Sequence, residues 1–148
     1  MTSKDPLAFQ VFNEIGIISQ LTSAAFAAVL PKGVTIAQFT VLNHFVRLEL
    51  ESQSPAKLAS AFQITRPTMT STLARMEKAG LVTIKADPQD RRGKLVSVTA
   101  AGRRMRETCL ERLAEPLAEA NAVLAPATLA QLLPLLQDIR AKLDRLRD

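Results

Sequence analysis

A chain of 148 residues can fill one hydrophobic core, and a single domain over 1–148 is expected. Trp and Tyr are absent while Ala and Leu abound, which suits a mostly α fold and argues against a β-sandwich or barrel. One Cys and one His exclude an intrachain disulfide and most histidine-based catalytic or metal sites. No phosphate-binding glycine loop, carboxylate pair or metal-ligand spacing is spelled out, so the chain reads as a non-enzyme with no cofactor.

The net charge of +5 is unevenly spread. Residues 1–49 carry three basic and three acidic side chains, residues 50–106 eleven and four, and residues 107–148 five and seven, so the whole excess, net +7, sits in the centre. A local cationic block suits a polyanionic partner, through its field and the release of counterions; a solvated surface explains charge alone equally well. The lone Cys109 fits a reducing compartment. The opening MTSKDPLAF lacks the basic-then-apolar pattern of a secretion signal. The apolar stretch 9–30 is interrupted by Asn13, Glu14, Ser19, Gln20, Thr22 and Ser23 too often for lipid. A soluble, cytoplasmic protein with no membrane association is expected.

Residues 7–30 form the first predicted helix, with Val11, Phe12, Ile15, Ile18, Leu21, Ala25 and Val29 at helical spacing. Ile17 and Phe26 spill onto a second face, and a second apolar face on one helix of a small protein points to a partner subunit. Pro31, Lys32 and Gly33 end it. Thr35-Ile-Ala-Gln38 is a capping box opening a second helix to about Leu48, with Ile36, Phe39, Leu42, Phe45 and Val46 as its core stripe. Residues 48–53 read as a polar link. Ser54-Pro55 starts a short third helix that buries Leu58, Ala59 and Phe62. After a turn at Gln63-Ile64, Thr65 caps a fourth helix whose Met69, Leu73 and Met76 face inward. Its outer face, Pro67, Thr68, Ser71, Ala74, Arg75 and Lys78, is small, hydroxylated and basic, as a helix entering a major groove must be.

Gly80 closes that helix. Val82, Ile84 and Ala86 alternate with Thr83 and Lys85 as a strand, and Val96 and Val98 mark its return. Between them the loop Asp87-Pro-Gln-Asp-Arg-Arg-Gly-Lys94 is shaped by Pro88 and Gly93 and charged by Arg91, Arg92 and Lys94. Helix, turn, helix, strand, basic loop and strand make a winged helix-turn-helix lobe over 35–100. Thr99 then caps a long helix to about Leu124, with Gly102 in its first turn and Pro116 as a kink, and Pro126 opens a last helix that Pro134 interrupts. The helical regions 5–31 and 103–148 carry more apolar surface than one small core needs, and a two-fold dimerisation region is expected there.

The run from Leu58 to Gly102 resembles the MarR (multiple antibiotic resistance regulator) family of winged-helix transcription factors. The resemblance is carried by Leu58-Ala59, Thr68-Met69-Thr70, Met76-Glu-Lys-Ala-Gly80-Leu81-Val82, the wing Asp87-Pro-Gln-Asp90-Arg91-Arg92, and Val98-Thr99 with Gly102. It implies an obligate homodimer that binds pseudo-palindromic double-stranded DNA operators, most often as a repressor released by a small aromatic or phenolic effector. By position, Pro67, Thr68, Thr70, Ser71 and Arg75, with Arg66 at the helix start, lie in or near the major groove. Arg92 is the wing-tip residue at the minor groove with Asp90 orienting its guanidinium, and Arg91 and Lys94 meet phosphates. Ser71 departs from the basic residue that many members carry there.

Two other readings stay open: a winged helix used as a protein-interaction module, and a helical dimer acting as a small-molecule carrier, both without an operator. His44 is expected to be a packed or partly exposed helix residue and Cys109 a small buried filler. An effector is expected near the hinge at 48–54.

Overall fold

The structure, a computed structural model, describes residues 4–147. Six helices and one hairpin follow in the order α1 (Leu7–Val29), α2 (Ile36–Arg47), α3 (Pro55–Phe62), α4 (Arg66–Lys78), β1 (Val82–Asp87), β2 (Asp90–Val98), α5 (Ala100–Val123) and α6 (Pro126–Arg145). The fold is mostly helical with a two-stranded antiparallel wing, as the sequence implies. The chain divides into two compact units within α5, one ending at Leu113 and the other beginning at Ala114.

In the first unit one apolar cluster holds the winged helix together. Val41, Leu42 and Phe45 of α2 meet Leu58 and Ala59 of α3, Met69, Leu73 and Met76 of α4, and Leu81, Val82 and Val96 of the wing. Each large side chain removed from water contributes roughly 1.5–3 kcal/mol, so this cluster is the main source of the lobe's stability. The inner stripe of α2 is not the expected one: Val41 replaces Ile36, Phe39 and Val46, which are only half-buried, and Gln38 and His44 are buried beside it. The Thr35 hydroxyl accepts the Gln38 N–H at 3.2 Å, the first half of the expected capping box.

Three further expectations are corrected. Residues 48–53 are no mere polar link: Leu50 packs against the core, and Gln53 exchanges two backbone hydrogen bonds with Val96 of β2, at 2.9 and 3.0 Å. The basic loop is not a loop of eight. β2 begins at Asp90, with Asp87 opposite Asp90 and Ala86 opposite Lys94, so Arg91, Arg92 and Gly93 bulge from the strand. Pro134 does not break α6, which runs unbroken from Pro126 to Arg145. A proline there removes only the N–H that would reach the Ala130 carbonyl, and Ala130 is exposed, so water can satisfy that oxygen.

α1 and α6 bury no residue at all. Phe9, Phe12, Ile15, Ile18 and Leu21 of α1 are exposed, as are Leu132, Leu133, Leu135 and Leu143 of α6. No single helix among the described residues is long and apolar enough to cross a membrane.

Candidate nucleic-acid interface

α4 is held rigidly at both ends. At its start the Thr65 hydroxyl accepts the Thr68 N–H at 3.2 Å and donates to the Thr68 hydroxyl at 2.8 Å. The Thr68 hydroxyl thus accepts one hydrogen bond and keeps both a proton and a second lone pair for other partners. The approach from α3 turns at Gln63, which adopts a left-handed conformation (φ 52°) that a side chain disfavours by about 1 kcal/mol; its amide offsets this by donating to the Ser60 carbonyl at 2.8 Å. At the far end Gly80 (φ 77°) and Leu81 return N–H groups to the Glu77 and Met76 carbonyls, a Schellman closure that only glycine makes without strain.

The wing is then tied to this helix. Glu77 accepts the Ile84 N–H at 2.7 Å, joining α4 to β1. Thr99 donates to the Gly80 carbonyl at 2.6 Å and accepts the Gly102 N–H at 2.9 Å, so one hydroxyl closes α4 and opens α5. Gly102 is buried where a Cβ would overlap the Leu81 carbonyl oxygen and lie 2.7 Å from Val98 Cγ1; no larger residue fits. The third tie is Gln53, whose side-chain oxygen lies 3.0 Å from His44 Nε2 while its backbone grips Val96. His44 is buried, with its ring edge-on to Phe62 at 5.0 Å. It is a packing residue, and its partner Gln53 leaves no signal in the sequence beyond a polar letter in a linker.

The outer residues of α4 that the sequence singled out, Arg66, Pro67, Thr68, Thr70, Ser71 and Arg75, are all exposed, while Met69, Leu73 and Met76 are buried beneath them. On the wing, Asp90, Arg91, Arg92 and Lys94 are exposed. Asp90 has a different task from the one expected: its carboxylate accepts the Arg92 backbone N–H at 3.0 Å, and so shapes the bulge rather than holding the guanidinium. Asp87 likewise accepts the Gln89 N–H at 2.9 Å. The ion pairs among the described residues join Arg106 to Glu107, Arg140 and Arg147 to Asp144, and Lys142 to Asp138. None involves Arg66, Arg75, Arg91, Arg92 or Lys94.

Helix and wing meet at a hollow of about 270 Å³ lined by Arg66 and Thr70 of α4, Arg92, Gly93 and Lys94 of the wing, and the first turn of α3. It abuts a second hollow that shares Pro55, Thr70 and Lys94 and reaches Glu77 and Ile84. Together they form a trough between the exposed helix and the hairpin.

A model of the MarR family matches residues 32–93, the stretch that contains this helix and most of this hairpin. The winged-helix lobe is therefore similar to the MarR family. That is a family of transcriptional regulators, and this chain shares the mostly helical fold and hairpin wing of its solved members. A transcriptional activatory protein, BadR of Rhodopseudomonas palustris, is 34% identical over 90 residues, which span 60% of this chain and 49%, about half, of that relative. Among solved structures, a mutant MarR of E. coli complexed with operator DNA is 25% identical with a TM-score of 0.71, over 91% of this chain and 99% of that one. BpsR of Bordetella bronchiseptica, described with the regulation of its DNA binding by 6-hydroxynicotinic acid, is 26% identical with a TM-score of 0.72, over 88% of this chain and 98% of that one.

Cys109 is fully buried, and burial pushes its thiol up from the ordinary value, which favours the protonated form. Among the described residues no three His, Cys, Asp or Glu side chains converge on a point that a metal ion could occupy.

Proposed function

We propose that this chain is a sequence-specific, DNA-binding transcriptional regulator of the MarR family that works in the cytoplasm as a homodimer and represses until a small molecule releases it. Each protomer lays the Thr68–Ser71–Arg75 face of α4 into a major groove, and the two-fold axis sets the half-sites about one helical turn apart. One observation carries the reading: an exposed helix face of small, hydroxylated and basic residues, fixed at both ends, beside a bulged hairpin whose cations have no carboxylate partner. The operator complex of the E. coli relative supports it. Dimerisation is supported by α1 and α6, whose leucine, isoleucine and phenylalanine faces are uncovered within the protomer.

The test is selection of bound sequences from random duplex DNA with the purified chain. The expected outcome is a pseudo-palindrome with fixed half-site spacing, bound with a steep salt dependence. Arg92→Ala weakens that binding about tenfold or more while the melting temperature holds. Retention of no duplex at low ionic strength favours the protein-interaction reading instead.

Release by a small molecule draws support from BpsR and its response to 6-hydroxynicotinic acid. The region 48–54 is tied to the lobe by Leu50 and Gln53. A better seat is a groove of about 230 Å³ behind α4, lined by Val41, Phe62, Ile64, Met69 and Thr72, where an occupant touches both the core helix α2 and the reading helix. Met69→Trp fills that groove; effector release that survives the substitution places the seat elsewhere.

A further inference from the structure

Packing alone does not call for a histidine at position 44. Its buried ring stands edge-on to Phe45 at 6.3 Å and to Phe62 at 5.0 Å, a place that a leucine fills without a polar nitrogen to satisfy. Here Nε2 lies 3.0 Å from the Gln53 side-chain oxygen. That oxygen can only accept, so Nε2 carries the proton. The Gln53 backbone in turn exchanges two hydrogen bonds with Val96, which is fully buried and stands opposite Ile84 in the hairpin. The Ile84 N–H is accepted by Glu77 of α4. One rung of the wing is therefore gripped on both edges, by α4 at Ile84 and by Gln53 at Val96. Toward the tip, it is the last rung at which hydrogen bonds among the described residues hold the hairpin to the rest of the lobe. On its other side His44 meets the groove behind α4, because Phe62 is a wall of that groove together with Met69 and Thr72. A chain of contacts runs from the groove through Phe62, His44 and Gln53 to the rung at Val96, without passing through α4.

Resting on the DNA-binding reading above, we propose that Phe62, His44 and Gln53 form a strut that couples occupancy of the groove behind α4 to the grip of the wing. An occupant pressing on Phe62 drives that ring against His44. The imidazole, hemmed in by two rings, yields by turning, and Nε2 leaves the Gln53 oxygen. Gln53 then holds Val96 less firmly, and the wing loosens on the duplex. The switching element has two discrete states, the His44–Gln53 bond made or broken, and the occupant favours the second through its contact with Phe62. By reciprocity, an operator that needs the wing held lowers the occupant's affinity by the same factor. The groove walls select an uncharged ring. Val41, Phe62, Ile64 and Met69 supply apolar surface, no charged side chain lines the groove, and the Thr40 hydroxyl, whose proton goes to the Ile36 carbonyl at 2.8 Å, offers an acceptor oxygen. Indole, flat, neutral and with one N–H to donate, is the matching probe.

Amide hydrogen exchange and chemical shifts in the DNA-free protein test the strut. In His44→Leu and in Gln53→Met, each of which removes the same bond, the Gln53 and Val96 amides exchange about tenfold faster, and the double variant adds nothing further. The Leu73 amide of α4 keeps its rate; an equal rise there marks a general loss of packing and overturns the strut. Indole at millimolar concentration shifts the Met69 methyl and the Thr72 amide in both wild type and His44→Leu. It shifts the Gln53 and Val96 amides in wild type only. Shifts at Val96 that survive His44→Leu, or none there in wild type, refute the coupling, and an indole that moves no groove signal refutes the seat. On the selected operator, His44→Leu weakens binding about fivefold and abolishes any effect of indole. Unchanged operator affinity breaks the step from strut to wing. A chain that binds no duplex at low salt defeats the DNA-binding reading and leaves the strut itself to the exchange rates.

Discussion

Between Val41 and Val96, eleven hydrophobic side chains are buried in a single cluster; over the 23 residues of α1 and the 20 of α6, none is. The winged lobe closes its own accounts: its helices are capped by Thr35, Ser54 and Thr65, its wing is tied by Glu77, Thr99 and Gln53, and no buried side-chain polar atom among the described residues is left without a partner. The terminal helices are apolar without being covered, and the N-caps of both, Pro6 and Ala125, supply no side-chain hydrogen bond. The lobe is built to stand, and the termini are built to be met. On the proposed function the division makes sense, because a DNA-reading lobe would keep one shape while the terminal helices exchanged monomer surface for a dimer interface.

That contrast can be broken most severely from inside the lobe. Gly102→Ala drives a methyl group into the Leu81 carbonyl and Val98, and is expected to cost about 3 kcal/mol or more, seen as a lowered urea midpoint with loss of operator binding. A midpoint within error of wild type would mean that the contact between α5 and the wing is loose. The opposite kind of damage comes from α1. Ile18→Asp leaves the lobe's buried cluster untouched, since Ile18 is 53% exposed in the protomer. It is expected to weaken dimerisation roughly hundredfold through an unpaired charge in an apolar interface, read by sedimentation equilibrium. A dimer that tolerates it would show that α1's apolar face has another use.

A smaller effect sharpens the picture of the reading helix. Thr65→Ala removes both its hydrogen bonds, with an expected cost of about 1 kcal/mol in stability. Because the Thr68 hydroxyl then loses its fixed donor direction, base preference at one operator position relaxes as well; a stability loss with unchanged preference would leave Thr65 a plain cap. The smallest effect concerns Cys109. Burial favours its neutral thiol and raises its folded pKa above the unfolded one, so its contribution is intact below the unfolded value and is lost only as pH rises through the higher folded value. Iodoacetamide at neutral pH is therefore expected to label Cys109 only as fast as the protein unfolds, and labelling at the rate of a free thiol would contradict its burial.

Much of this was legible in the residues. Helix ends spelled by Ser54-Pro55, Thr65 and Gly80 fell where local chemistry puts them, because capping is settled within four residues. Period-2 and period-3.6 patterns found the hairpin and the inner face of α4. The exposed face of α4 was legible from what it lacks, which is bulk and acid. The inner face of α2 was misjudged because three amphipathic positions compete and only packing against α3 and α4 chooses Val41. Gln53 was missed because a bridge to Val96, 43 positions along the chain, has no local signature. The tight turn at Pro88-Gln89 was missed because the bulge, not the loop, absorbs Arg91 and Arg92.

By itself the sequence determined the order of elements, most helix ends, the central concentration of positive charge and the resemblance to a family, since all of these rest on near neighbours and on residue type. Tertiary structure alone decided that Arg66 and Lys94, distant in the chain, share one hollow, that Asp90 holds a backbone N–H, and that Glu77 faces the same trough as Lys94. Those facts depend on which surfaces the buried cluster brings together, and burial of that kind is a sum over the whole lobe rather than a property of any stretch of it.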